Sequence, residues 1–126
     1  MLDESADSGE ALDRIAASGL PFLVHLKLVK QGGLGRLVEA ARRLQGSGIG
    51  VMVGQMNEGG LATAAALGAA LAAKPRFAEL YGADNLLDDP SVGVRYENGA
   101  VAAGEIGIGA ALVGPTSAIL ERKVAR

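Results

Sequence analysis

Along this chain the spacing of apolar residues switches repeatedly between two rhythms. Residues 21–29, PFLVHLKLV, and residues 48–53, GIGVMV, are short, rich in β-branched side chains and almost continuously apolar, as strands covered on both faces are. Between them, residues 33–45 put Leu34, Leu37, Val38, Ala41 and Leu44 on one face, with Arg36, Glu39, Arg42 and Arg43 mostly elsewhere. That spacing predicts an amphipathic helix closed by Gly46. Residues 58–74 predict a second helix, faced with small residues and stopped by Pro75, and residues 76–82 a further strand. Residues 7–19 predict a short leading helix, with Asp7 and Glu10 at capping-box spacing and Gly19 as its stop.

Strand candidates begin near Leu2, Phe22, Ile49 and Phe77, at intervals of 20, 27 and 28 residues. This is a βα repeat and predicts parallel strands joined by right-handed helical crossovers. Beyond Gly82 the character changes. Residues 82–93 are polar and turn-rich, and Asn98-Gly99 between two alternating runs predicts a β-hairpin. The tail, residues 111–126, leaves a last strand or a helix open. The chain therefore divides into residues 1–82, half of a barrel, and residues 83–126, a polar loop, hairpin and tail packing back on it. Four βα strands cannot close a barrel, and as an open sheet they expose hydrophobic edges. The expected fold is α/β, a partial (β/α) TIM-like barrel equivalent to a carboxyl-terminal half, plus the hairpin.

Composition narrows the function classes. The 126 residues suffice for one domain, and 49% hydrophobic with 3% aromatic content makes its core aliphatic. Cysteine is absent, which removes disulfides and thiolate chemistry. A net charge of −2 without a basic stripe argues against nucleic-acid binding. The longest apolar run, residues 59–73, is too short to span a bilayer, and Asp3, Glu4 and Asp7 stand where a secretory signal needs basic residues. A soluble cytoplasmic protein is expected. Gly46-Ser-Gly48-Ile-Gly50 precedes a strand, whereas a dinucleotide-binding fingerprint follows one. The loop after the first strand, DESADSGEA, is too acidic to cradle a phosphate as a flavodoxin-like module would.

In parallel barrels chemistry gathers at the carboxyl ends of the strands. Asp3 and Glu4 follow the first strand, Lys27 ends the second, Glu58 follows the third and Glu79 lies in the fourth. Alternation puts Leu23, His25 and Lys27 on one face and the greasier Phe22, Val24, Leu26 and Leu28 on the other, so His25 and Lys27 point into the barrel. A strand-terminal lysine is ordinarily a solvated residue. Asp3-Glu4 could be a helix-entry acidic pair, and Glu58 could equally stabilise the amino end of the following helix. His25, one layer below the rim, reads as a hydrogen-bonded interior residue.

The stretches LDES, LKLVKQGGL, GIGVMVGQMNEGGLATAAA and AELYGADNLLDDP…YENG resemble the carboxyl-terminal half of the enolase superfamily, within it the mandelate racemase and muconate lactonizing enzyme branches. Residues 27–33, set 24 positions after Asp3, are the most specific part. Gly107-Ile-Gly109 resembles the glycine element ending family barrels, with Ile106 where a proline is common. The resemblance implies a Mg²⁺-dependent enzyme that removes a proton α to the carboxylate of a small carboxylic acid, giving racemisation, epimerisation, cycloisomerisation or elimination. It implies Lys27 as acid/base, Asp3 as a metal ligand with Glu4 as its supporting carboxylate, and Glu58 as a strand-seven glutamate; it gives Glu79 no role. A lysine that accepts a proton must be neutral, which burial and nearby positive charge favour. For the 126 residues by themselves, the alternative is a catalytically silent half-barrel that self-associates or pairs with a missing amino-terminal half.

Overall fold

The computed structural model describes residues 1–103 and 111–112. Three parallel strands, β1 (Leu23–Lys27), β2 (Gly50–Gly54) and β3 (Phe77–Glu79), lie side by side in chain order. Helix α1 (Gly9–Ala17) precedes β1, α2 (Leu28–Gln31) and α3 (Leu34–Gly46) run between β1 and β2, and α4 (Gly60–Ala73) runs between β2 and β3. The βα repeat is as the apolar rhythm predicts. The barrel is not closed.

Four details depart from expectation. The segment at Leu2 forms only a single parallel bridge to Val24 among the described residues. The second predicted strand stops at Lys27, and residues 28–31 coil into one helical turn that ends at left-handed Gly32. The first helix is capped by Ser8 and not by Asp7: the Ser8 hydroxyl accepts from the Ala11 amide, while Glu10 pairs with Arg14. The strand predicted over residues 76–82 shrinks to three residues, followed by a 3₁₀ turn at Gly82–Asn85.

The core lies between sheet and helices. Val24, Leu26, Val51 and Val53 are essentially sealed, and α3 adds Leu37, Ala41 and Leu44. Leu34, expected on that buried face, is half-exposed, and Ala40 is buried in its place. Alanines and Gly60 on α4 let that helix pack closely on α3, and the Gln45 side chain donates to the Ala73 and Lys74 carbonyls at its carboxyl end. No helix among the described residues is long and apolar enough to cross a membrane.

The hairpin is present. β5 (Val94–Glu97) and β6 (Ala100–Ala103) pair antiparallel, and Asn98 and Gly99 both take the positive φ that a type I′ turn requires. Tyr96 donates its phenol proton to the Leu80 carbonyl and ties the hairpin to the end of β3. One pairing has no counterpart in the sequence reading: β4 (Ser91–Val92), inside the polar loop, pairs antiparallel with β7 (Ala111–Leu112). The glycine element at residues 107–109 and the tail beyond residue 112 lie outside the described residues.

Candidate active site at the carboxyl edge of the sheet

The bridge at Leu2 determines where Asp3 stands. The Leu2 amide donates to the Leu23 carbonyl and the His25 amide to the Leu2 carbonyl, so Asp3 emerges beside the end of β1. Its carboxylate meets two lysines there. Lys27 Nζ lies 2.8 Å from Oδ2 and Lys30 Nζ 2.9 Å from Oδ1. The single turn of α2 brings Lys30 back to Lys27, and Lys30 also reaches Glu4 at 3.0 Å.

Burial separates these groups. The Lys27 side chain is 10% exposed and Lys30 15%, whereas Glu4 is 82% exposed. Burial by itself raises the Asp3 pKa, but hydrogen bonds from Lys27 and Lys30 outweigh it and bring it from 3.8 to about 2. Burial likewise opposes the charge on Lys30, yet Asp3 and Glu4 together raise its pKa. The result is a fixed anion held between two ammonium groups.

His25 completes the cluster. Its imidazole is buried, with Nδ1 3.3 Å from Asp3 Oδ2 and Nε2 3.6 Å from Glu79 Oε2. Lys27, Gly54 and Glu79 stand in register across the three strands, so one row of the sheet carries a cation, a gap and an anion. The sheet thus brings together Asp3, Glu4 and Lys27, expected from sequence, and adds Lys30, His25 and Glu79. Alternation already turned His25 inward; the sequence holds no signal for its approach to Glu79.

Glu58 stands elsewhere on the rim. Its Oε2 accepts from the Met56 amide; among the described residues its buried Oε1 has no hydrogen-bond partner and it makes no ion pair. Nor does it cap α4. That task falls to Asp89, whose Oδ2 accepts from the Gly60 amide at 2.5 Å while Oδ1 accepts from the Ser91 amide and hydroxyl. Gln55, fully buried just past β2, donates to Thr63 at 2.9 Å and was not singled out from sequence.

These residues do not build a self-contained metal site. Among the described residues no group of three or more His, Cys, Asp or Glu side chains could hold an ion. Both Asp3 oxygens face lysines, and Glu4 turns outward to Lys30. Asp3 is by charge and position one carboxylate donor; a set is not present.

Solved structures match this fold. A mandelate racemase/muconate lactonizing protein from Herpetosiphon aurantiacus is 28% identical, with a TM-score of 0.73 over 90% of this chain and 33% of that one. The muconate lactonizing enzyme from Pseudomonas putida is 27% identical, with a TM-score of 0.78 over 95% of this chain and 34% of that one. In fold and sequence this chain resembles part of the enolase superfamily. A dipeptide epimerase from Methylococcus capsulatus, complexed with Mg and the dipeptide L-Arg-D-Lys, is 32% identical, with a TM-score of 0.75 over 86% of this chain. The chain spans about a third of the length of each of these superfamily members. No protein-family model and no curated protein matches it.

Proposed function

We propose that this chain supplies the acid/base edge of an enolase-superfamily site that removes a proton α to the carboxylate of a small organic acid. The observation that carries the reading is Lys27: a nearly buried amine at the carboxyl edge of a parallel sheet, 2.8 Å from a carboxylate that stays ionised. In the forward step the substrate C–H bond breaks, the proton goes to the Lys27 amine, and the electron pair moves into the carboxylate as an enediolate. Return of that proton by the Lys27 ammonium restores the original stereocentre, so epimerisation requires a second acid to deliver a proton to the opposite face of the enediolate; departure or addition of a neighbouring group gives the lyase or cycloisomerase outcome. An ammonium bonded to Asp3 is set to donate. Accepting a proton requires the Asp3 charge to be shared, and Lys30 on the opposite oxygen shares it.

The neighbours are racemase-, epimerase- and cycloisomerase-type proteins, one of them complexed with Mg, and this supports the reaction class. Asp3 is proposed as one donor to Mg²⁺, with its other donors outside the described residues and Glu4 supporting it through Lys30. The ion would set positive charge against the enediolate. Glu58, on the same rim with an unpartnered buried oxygen, is proposed as a polar wall of the site.

The test is α-proton exchange in deuterated water. The full chain with Mg²⁺ is incubated with dipeptides and other α-substituted carboxylic acids, and loss of the α-proton signal is followed by NMR. Exchange by the wild type and none by Lys27→Ala supports the reading. Equal exchange by both overturns the role of Lys27, and none by either overturns activity of these 126 residues by themselves.

A second reading rests on the open flank of β3, where Phe77 is 47% exposed and an apolar groove of about 1020 Å³ runs between α4 and the hairpin. On this reading the chain is a silent half-barrel stabilised by pairing with itself or with a separate half-barrel partner. Sedimentation with and without Mg²⁺ separates the two: a folded, metal-indifferent monomer excludes self-pairing.

A further inference from the structure

The register row Lys27–Gly54–Glu79 leaves a gap at its centre, because Gly54 carries no side chain. That gap is filled from the layer below. A Cβ built on Gly54 would lie 1.8 Å from His25 Nε2 and 2.9 Å from both neighbouring ring carbons, so the imidazole occupies the space a side chain would take. His25 is 3% exposed, and its Nε2 is buried without a hydrogen-bond partner among the described residues. A bare buried ring nitrogen is costly unless something nearby engages it. Glu79 Oε2 lies 3.6 Å from Nε2, just beyond hydrogen-bond reach, while Nδ1 lies 3.3 Å from Asp3 Oδ2.

We infer that His25 is a positioning residue that couples Glu79 to Asp3, and through Asp3 to Lys27. Two carboxylates on different elements face opposite nitrogens of one ring wedged into the space over Gly54. Because the ring is rigid, a change at Nε2 is transmitted to Nδ1, which faces Asp3 Oδ2, the oxygen that holds Lys27. A glycine at position 54 is what makes the coupling possible: any side chain there would displace the ring. The groups facing the imidazole are Asp3 from the Leu2 bridge segment, Glu79 from β3 and the bare backbone of Gly54 from β2.

The positioning role rests on the proposed function of Lys27, but the coupling itself is measurable without turnover. The chain contains one histidine, so its ring signals need no assignment. In ¹⁵N- and ¹³C-labelled full chain, the Glu79 side-chain carboxyl carbon is followed in the wild type, Asp3→Asn, His25→Leu and the double variant. The expected result is a shift of the Glu79 carboxyl signal on Asp3→Asn that disappears in the His25→Leu background. Glu79→Gln is expected to move the Nε2 resonance, whereas Glu58→Gln leaves it in place. A Glu79 signal equally sensitive to Asp3→Asn with leucine at position 25 overturns the coupling. So does an Nε2 resonance unmoved by Glu79→Gln in a chain whose backbone spectrum is otherwise native. His25→Gln, which retains a donor and an acceptor, is expected to restore part of the response. Failure of proton exchange with the coupling intact would discredit the proposed reaction and leave this inference standing.

Discussion

Asp3 Oδ2 sits 2.8 Å from Lys27 Nζ although 24 residues separate them, and the contact depends on one backbone bridge between Leu2 and Val24. Asp3 is the shared partner of two ammonium groups, so neutralising it costs more than removing either lysine. Asp3→Asn is expected to destabilise the fold by about 1–3 kcal/mol, because Lys27 and Lys30 lose their common anion while both stay largely buried. Lys30→Met should cost less, since Asp3 keeps Lys27. Urea midpoints at constant slope measure both.

Acid sensitivity follows from the same carboxylate. Its folded pKa of about 2 lies below its ordinary 3.8, so the folded state binds fewer protons than the unfolded chain between those values. Stability from Asp3 is therefore complete above roughly pH 4 and is lost as the pH falls toward 2. Asp89, whose pKa is lowered by its bonds from Ser91 and Gly60 against the opposing effect of burial, contributes with the same sign. Removing the Lys30 ammonium releases the Asp3 pKa upward, and the acid transition of Lys30→Met is expected at higher pH than in the wild type. Circular dichroism against pH measures it; an unchanged midpoint in Lys30→Met would refute the assignment.

Asp89 caps α4 from 29 residues away. Asp89→Ala removes the acceptor of the Gly60 amide and of both Ser91 donors, and an expected loss of about 1–2 kcal/mol follows from the usual worth of such caps. Glu58→Ala, by contrast, should cost α4 little, because Glu58 accepts only from Met56. A larger loss from Glu58→Ala than from Asp89→Ala would contradict the structure.

Gly54→Ala is expected to cost about 1–3 kcal/mol by forcing its methyl against the His25 ring. In a His25→Ala background the same substitution meets an empty space, and most of that cost should vanish. The two effects are thus strongly non-additive, and a double-mutant cycle on unfolding midpoints reads the difference directly. Simple additivity would mean that the ring is elsewhere in solution.

The repeat itself was legible because both β1 and β2 are buried on two sides, which writes continuous apolar runs into the sequence. Alternation assigns Lys27 and His25 to one face without any knowledge of neighbours, and both are buried, within 3.3 Å of Asp3. What failed to show lies between elements. The Asp89 cap is contributed by a loop whose own residues carry no local helix signal, so the sequence offers Glu58, the acid beside α4, equally as a site residue and as an acid favouring the helix's amino end. Glu79 gave no sign of meeting His25, because that encounter depends on the side chain missing at position 54 of an intervening strand. Ser8 displaced Asp7 as a cap by one residue, within the margin that similar polar side chains leave open.

Lys27 and Glu79 are held apart by backbone pairing with a bare position between them, so their distance is two strand spacings, roughly 10 Å. No rotamer change at either end can alter that ruler. A descendant of this sequence could exchange the groups at the two ends for others and still present them at the same width. To bring them closer it would have to lose a strand.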